Sequence, residues 1–209
     1  MNVIKQLQWR YATKKFDSNK KLSPEKLGVL KQAFNLTATS FGLQTIKLVV
    51  VTNEALRASL VAHAYNQKQV MEASHLLIIC VQDDILENDV ITYYNTIKTI
   101  RNTSEIILKP YREDLIKMMK NMSVAQRFEW SKNQAYIALG NLMTVCAMEK
   151  IDACPMEGFK PEAIDTALEL NKKSLKSVLL LPVGYRSETD MFAGFSKVRK
   201  PMEETVIEL

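Results

Sequence analysis

The sequence predicts an α+β fold in which helices wrap a central sheet. Two continuous apolar runs, at residues 76–81 and 178–183, are typical of strands that are covered on both faces. Elsewhere, apolar residues recur at three- and four-residue spacing, which predicts amphipathic helices. With 209 residues and 47% hydrophobic side chains, the chain can bury a substantial core. No repeat, low-complexity tract or Gly/Ser linker interrupts it, so we expect a single domain over residues 1–209.

The first half of the chain carries recognisable helix and strand signals. Ser23 suits an N-cap and Pro24 a first helical position, and the apolar spacing then continues to Phe34. Residues 46–51 are mostly apolar and β-branched, which favours a strand. The pattern predicts, in order, a short helix at 3–7, a helix at 24–34, a loop at 39–42, a strand at 46–51 and a helix at 56–63.

The second half contains the longer helical segments. Residues 136–148 are apolar almost all round, so this part of a helix is expected in a large core or at a subunit interface. The pattern predicts, in order, helices at 90–100, 107–118 and 123–150, a brief strand at 151–155, a helix at 161–170 and a strand at 178–183. The tail at 205–207 could form a further strand.

Composition and motifs argue against several classes of function. The six glycines form no G-x-G-x-x-G or Walker loop, and two histidines are too few for a zinc site or a Ser-His-Asp hydrolase, so no metal is expected. The three cysteines form no C-x-x-C pair, which favours a reducing, cytoplasmic compartment. No signal peptide is recognisable, and no apolar run approaches the ~20 residues of a membrane span. A net charge of +5 with interleaved acids is a weak sign of nucleic-acid binding, so we expect neither nucleic-acid nor membrane partners.

Basic side chains cluster near both ends of the sequence. Arg10 and Lys14 lie in the first cluster, and Lys197 and Arg199 lie in the second. If folding brings them together, they form a site for a doubly charged phosphate, because lysine neutralises as a point charge and arginine binds phosphate oxygens in a bidentate manner. The residues alone leave open that both clusters are ordinary solvated surface.

Five short blocks stand out. They are R-Y-A-T-K-K-F-D at 10–17, T-S-F-G-L-Q at 39–44, N-Q-K-Q and E-A-S-H within 66–75, P-M-E-G-F at 155–159 and K-V-R-K-P at 197–201. Together they resemble motifs of the nitroreductase family, the FMN-dependent NAD(P)H oxidoreductases, in that family's order and spacing. The resemblance spans nearly the whole chain and is nearest to the branch of oxygen-insensitive bacterial nitroreductases and dihydropteridine reductases.

The resemblance implies that FMN is the cofactor and assigns residues to both ends of it. Arg10, Lys197 and Arg199 would hold the phosphate, while Lys14 would reach the ribityl chain and the pyrimidine edge. Other residues would contact the isoalloxazine ring. The complete set of implied cofactor-binding residues is Arg10, Tyr11, Ala12, Lys14, Ser40, Phe41, Gly42, Asn66, Gln69, Pro155, Met156, Glu157, Gly158, Lys197 and Arg199.

At the ring, the resemblance gives four residues distinct tasks. Asn66 and Gln69 would hydrogen-bond the N1–C2–N3 edge, where negative charge develops on reduction. Glu157 and Gly158 would form the catalytic environment, with backbone N–H groups directed at N5 and O4, and glycine would let the main chain approach the ring closely.

The resemblance also implies a reaction and partners. NADH or NADPH would donate hydride at flavin N5, and a quinone or nitroaromatic-type acceptor would then use the same slot, which makes the cycle ping-pong. The chain would adopt a nitroreductase-like fold with a mostly antiparallel sheet. It would form a homodimer with two FMN sites at the interface and an exchanged C-terminal strand. Ser40 and its loop would cover the ring of the other subunit, and a helical excursion at 87–122 would frame the substrate channel.

The chain departs from the family pattern at several positions. Ala12 stands where a serine is common, Gln69 where a lysine is common, and Thr45 and Ile46 where Pro-Trp is usual; Phe41 could narrow the slot. These changes bear on substrate range more than on flavin binding. They keep open a second function, a low-turnover flavin-binding protein for storage or sensing, and a basic nucleic-acid binder is a third.

Overall fold

The protein is described by a computed structural model that covers residues 2–209. The helices are α1 (Val3–Trp9), α2 (Pro24–Asn35), α3 (Glu54–Leu60), α4 (Gln69–Glu72), α5 (Glu87–Arg101), α6 (Glu105–Asn121), α7 (Val124–Met148), α8 (Pro161–Ala167) and α9 (Met202–Thr205). The strands are β1 (Ile46–Val51), β2 (His75–Gln82), β3 (Asp152–Ala153) and β4 (Leu175–Gly184). Short 3₁₀ turns lie at Ser40–Gly42, Val61–Ala64, Leu170–Lys173 and Met191–Gly194.

The four strands form one antiparallel sheet in the order β1-β2-β4-β3. β1 and β3 are therefore its edges, and the two apolar runs recognised in the sequence are the central strands. Gly184 ends β4 at a crowded point of the fold. A Cβ there would lie 2.9 Å from the backbone nitrogen of Ser74 and 3.2 Å from the ring of Phe16. Glycine thus allows three separate segments to meet beside the sheet.

Helices cover both faces of the sheet. Neighbouring residues of a strand point to opposite faces, so the apolar side chains on each face need a cover. Along β2, Ile78 belongs to one apolar cluster and Ile79 to the other, and both are fully buried. The first cluster includes Leu60 of α3 and Ile164 of α8, whereas the second includes Leu142 of α7. This arrangement explains why β2 is apolar without alternation.

The excursion at 87–122 consists of α5 and α6, which pack on each other. Val90, Leu115 and Met119 form a third apolar cluster with Leu43 and Ile85. The two helices therefore have an apolar core of their own beside the sheet layers. In residues 2–209, no helix is both long enough and apolar enough to cross a membrane.

Most predicted elements are found close to their expected positions, but the tail is not. We expected a strand at 205–207, and within a single chain this prediction was wrong. Thr205 ends the helix α9, the Val206 N–H donates to the Met202 carbonyl at 2.8 Å, and residues 206–209 form no regular element. Local helical bonds satisfy the backbone here because no neighbouring strand is available to pair with it. Exchange of this tail between subunits stays a prediction.

Candidate functional site

The basic segment at 10–17 is fixed by main-chain bonds to the edge of the sheet. Ala12 forms a parallel bridge with Ala153 of β3, and the Thr13 N–H donates to the Ala153 carbonyl at 3.2 Å. The Asp17 N–H donates to the Tyr185 carbonyl at 2.8 Å just beyond β4. The segment therefore behaves as an extra, irregular edge strand, and the direction of its basic side chains is determined by the sheet.

One buried carboxylate joins this segment to the C-terminal part of the chain. Asp190 is 5% exposed, and its Oδ2 accepts hydrogen bonds from the Tyr11 hydroxyl at 2.8 Å and from the backbone N–H of Lys14 at 2.9 Å and Lys15 at 3.1 Å. Its Oδ1 accepts from the Phe192 N–H at 3.1 Å. Burial tends to raise the pKa of Asp190, but these donors outweigh it and lower the pKa below its usual value. Burial and the same carboxylate raise the pKa of Tyr11.

An ion pair between Arg186 and Asp152 supports the residues on either side of Arg10. Arg186 donates to Asp152 from its Nε at 2.7 Å and from its backbone N–H at 2.8 Å. Its guanidinium lies 4.3 Å from the ring centroid of Trp9 and 4.5 Å from that of Tyr11. The two aromatic rings are thus held against a buried, charged anchor. Arg10 lies between them in the sequence, so its backbone is firmly placed.

Arg10, Lys197 and Arg199 line one cleft of about 420 Å³, although almost the whole chain separates them in sequence. The Lys197 ammonium donates to the Arg10 carbonyl, which fixes the returning segment on the first one. Tyr11 and Ala12 line the same cleft. The structure therefore brings the two basic ends of the sequence together.

These three cations repel one another and have no acidic partner. Burial and then Arg199 lower the pKa of Arg10, while burial, Arg10 and Arg199 lower the pKa of Lys197. Within the part of the chain that the structure describes, residues 2–209, none of the three side chains forms a salt bridge. A bound dianion would relieve this repulsion, so the donor set fits a phosphate monoester.

Lys14 connects the cationic cleft with the segment at 155–158. Its ammonium lies 3.9 Å from the sulfur of Cys154, which directly precedes Pro155. Burial raises the pKa of the Cys154 thiol, and Lys14 opposes that effect. A buried neutral thiol thus lies behind the exposed lysine. Met156 is buried and pairs with Leu180 through both backbone groups, at 2.8 and 3.0 Å.

The segment at 66–69 packs against the same region. Gln67 donates from Nε2 to the Gly158 carbonyl at 2.8 Å. Its neighbour Asn66 is exposed and has a φ of 59°, in the left-handed region that asparagine adopts more readily than most residues. Gln69 is 8% exposed at the start of α4. Glu157 is exposed and accepts a hydrogen bond from the Tyr136 hydroxyl at 2.7 Å.

The turn Ser40–Gly42 lies elsewhere. The Ser40 N–H donates to Gln134 Oε1 at 2.9 Å, and the Phe41 ring stacks on Trp130 of α7 with centroids 6.3 Å apart. Phe41 has a φ of 55°, which is uncommon for a bulky residue. Across residues 2–209, no hydrogen bond joins this turn to the other predicted cofactor-binding segments.

Sequence reasoning missed the residues that hold the site together. Asp190 and Asp152 gave no signal beyond being acidic, because their burial depends on which segments meet in the fold. Asp190 does cap the 3₁₀ turn Met191–Gly194, which an Asp before an apolar stretch can indicate. Gln67 lies inside a recognised block but was not singled out.

The fold and the cleft define an α+β protein with a cluster of three cations that, within residues 2–209, form no salt bridge. The model of the Nitroreductase family matches residues 7–185, and the chain belongs to that family. The family resemblance seen in the sequence is thereby confirmed. A curated relative, the oxygen-insensitive NAD(P)H nitroreductase of Salmonella typhimurium, is 27% identical over 217 residues and is covered, like this chain, over 100% of its length.

Solved structures confirm the nitroreductase-like fold. A Nitroreductase Family Protein from Streptococcus pneumoniae superimposes with a TM-score of 0.84 at 21% identity, covering 100% of both chains. A protein of Exiguobacterium sibiricum, described as a nitroreductase and solved in complex with FMN, gives a TM-score of 0.84 at 19% identity, covering 100% of this chain and 98% of the other.

Proposed function

We propose that this protein is an FMN-dependent NAD(P)H oxidoreductase that reduces quinone or nitroaromatic-type acceptors. The observation that carries the proposal is the convergence of Arg10, Lys197 and Arg199 in a cleft where, within residues 2–209, they have no acidic partner. Family membership, the curated nitroreductase relative and the FMN complex of a structural neighbour support the same cofactor and donor. When bound, FMN supplies the capacity to accept a hydride from NADH or NADPH and pass reducing equivalents to an acceptor.

At the phosphate end, Arg10 and Arg199 donate to the phosphate oxygens, and Lys197 adds a third positive charge. The backbone at Arg10 is fixed by its contact with Lys197 and by the adjacent aromatic residues, so little backbone freedom remains to be lost on binding. This preorganisation favours tight retention of the cofactor.

At the ring end, Lys14 lies between the phosphate cleft and the segment at 155–158. Its charge, with the amides of Asn66 and Gln69, stabilises negative charge at the pyrimidine edge. The N–H groups of Glu157 and Gly158 can donate hydrogen bonds but cannot act as bases, so they would orient the reacting edge of the ring without removing a proton. We expect one slot beside the ring to serve the nicotinamide and then the acceptor, which is what a ping-pong cycle requires.

We include a homodimer in this proposal because the turn Ser40–Gly42 lies apart from the other site segments of its own chain. Contribution of this turn to the site of a second copy would account for its exposed Phe41. Ile137 on α7 is 50% exposed and Ile207 in the tail is 83% exposed, and a subunit interface would cover both. The exchanged tail belongs to the same proposal.

Two further predictions remain with the proposed function. The helices α5 and α6 frame the substrate channel, which their separate packing beside the sheet permits. The protein works in the cytoplasm, for which the free and buried Cys80, Cys146 and Cys154 are suited.

Anaerobic mixing with a nicotinamide tests the proposed activity. The purified protein should be yellow, and NADH or NADPH should bleach the flavin absorbance band within seconds. A quinone added afterwards should restore the band, because it is reduced to the hydroquinone as the reduced flavin is oxidised.

A matched titration with NAD⁺ controls for spectral changes caused by binding alone. Retained yellow colour without bleaching by either donor would instead support the flavin-binding protein for storage or sensing. A colourless preparation that retains RNA would support the nucleic-acid binder.

A further inference from the structure

We infer that Gln67 is a positioning residue that keeps the Glu157–Gly158 peptide, and with it the Gly158 N–H, directed toward the flavin ring, an inference that rests on the proposed function. These two residues are exposed between two fixed points of the chain. The direction of the peptide between them therefore depends on contacts within this segment, and Gln67 provides one such contact.

The two fixed points lie on either side of the exposed pair. Before it, Met156 exchanges backbone hydrogen bonds with Leu180 of β4 at 2.8 and 3.0 Å. After it, the Lys160 N–H donates to the His63 carbonyl at 2.8 Å. The ends of this short segment are thus held, and the bond to the Met156 carbonyl also fixes the peptide that carries the Glu157 N–H. The peptides at 157–158 and 158–159 are left to be restrained by contacts within the segment.

The N–H groups of the exposed pair are available to a ligand. The Phe159 N–H donates to the Glu157 carbonyl at 3.0 Å. In a trans peptide the N–H points opposite to its C=O, so the Gly158 N–H points away from that bond. Over the described residues 2–209, the N–H groups of Glu157 and Gly158 donate to no protein acceptor. They form a pair of donors that have no acceptor within the part of the chain that the structure describes.

Gln67 restrains the peptide between Gly158 and Phe159, whose N–H in turn holds the Glu157 carbonyl. Its Nε2 donates to the Gly158 carbonyl at 2.8 Å and to the Ala64 carbonyl at 3.1 Å, and a primary amide has two hydrogens for two such bonds. Its own N–H also donates to the Ala64 carbonyl, at 3.0 Å. Glycine has the widest conformational range of any residue, so this carbonyl contact limits Gly158 where its backbone alone would not.

The same side chain joins two parts of the site. Gln67 follows Asn66, which we assign to the pyrimidine edge, and it binds Gly158, which we assign to the N5 side. A Cβ at position 158 would lie 3.3 Å from the Gln67 amide nitrogen, so the two residues are in close contact. On the other flank, the Tyr136 hydroxyl holds the Glu157 carboxylate at 2.7 Å. Gln67 therefore links the position of Asn66, at the pyrimidine edge, to the position of Gly158, at the N5 side.

Gln67→Glu tests this role, because a carboxylate cannot donate and would face two carbonyl oxygens. We expect kcat to fall by about 10- to 100-fold, as displaced reacting groups generally cause. The reduction potential of the bound flavin should become more negative, and its visible band should change shape. The dissociation constant for FMN should change by less than about threefold, since the charged phosphate contacts are untouched.

A measurement on the flavin-free protein separates the positioning role of Gln67 from its effect on catalytic activity. In the flavin-free protein, the NMR amide signals of Gly158 and Phe159 should shift in Gln67→Glu, and hydrogen exchange of the Phe159 N–H, which donates to the Glu157 carbonyl, should accelerate. Gln67→Met, which removes both bonds without adding charge, should show the same changes to a smaller degree. Gln32→Glu, the same substitution at an exposed position of α2, should match the wild type in every measurement.

The outcomes distinguish this inference from the proposed function. Wild-type protein that retains flavin, together with Gln67 variants of unchanged potential, spectrum and Phe159 exchange, would overturn the positioning role alone. Wild-type protein that binds no flavin would overturn the proposed function, and this inference with it.

Discussion

Replacement of Arg10 by alanine should weaken FMN binding by about 10- to 100-fold. Hydrogen bonds to charged groups contribute about 1.5–3 kcal/mol each, and about 1.4 kcal/mol corresponds to a tenfold change in affinity. Arg10 is half-buried beside Lys197 and Arg199, so water screens its contact with a phosphate less than it would a fully exposed pair. Quenching of FMN fluorescence on titration into flavin-free protein measures the effect.

Arg101→Ala is the matched control, because it removes an equal charge from an exposed position at the end of α5. It should leave FMN affinity unchanged at moderate ionic strength. Equal affinity of Arg10→Ala and wild type would contradict the phosphate role of the cleft.

Asp190→Ala should lower the free energy of unfolding by about 3 kcal/mol. The substitution leaves the buried donors of Tyr11, Lys14, Lys15 and Phe192 without their acceptor, and each unsatisfied donor costs about 1–3 kcal/mol, offset in part by entering water. FMN affinity should fall as well, because Asp190 holds the basic segment in place. Urea unfolding followed by circular dichroism gives the free energy of unfolding. Asp114→Ala, at an exposed position of α6, is the control.

The same carboxylate predicts a pH dependence. The pKa of Asp190 is lower in the folded protein than its usual value, so its contribution is fully present above the unfolded pKa of about 3.9. That contribution is lost as the pH falls through the folded pKa. Stability of the wild type should therefore decline more steeply in acid than that of Asp190→Ala. Parallel pH profiles would show that Asp190 is not the buried acceptor described above.

The elements were predictable where local signals were strong. The predicted strand at 46–51 has the bounds of β1, because a β-branched run there ends at polar residues. The helix expected at 161–170 ends earlier, at Ala167, since Glu169 takes a left-handed φ of 53° and Leu170 starts a 3₁₀ turn. The tail shows the limit of local pattern, because a strand at 205–207 needs a neighbour that the chain alone does not supply.

The site was predictable only in part. The blocks containing Arg10 and Lys197 suggested a shared phosphate site, and the fold brings them into one cleft. Asp190 could not be recognised, because its partner Tyr11 lies 179 residues away and its burial arises from the fold. Gln67 was missed for the same reason, since its acceptor at Gly158 is 91 residues away. The positions of these supporting residues depend on tertiary contacts, which composition and periodicity do not reveal.

Comparison of FMN with riboflavin tests the central claim most directly, because the two molecules differ only in the phosphate. Titration of each into the flavin-free protein should show FMN binding at least about 100-fold more tightly, since we propose that the three cations of the cleft bind the group that riboflavin lacks. Equal affinity for the two flavins would contradict the claim that the two basic ends of the chain form the cofactor's phosphate site.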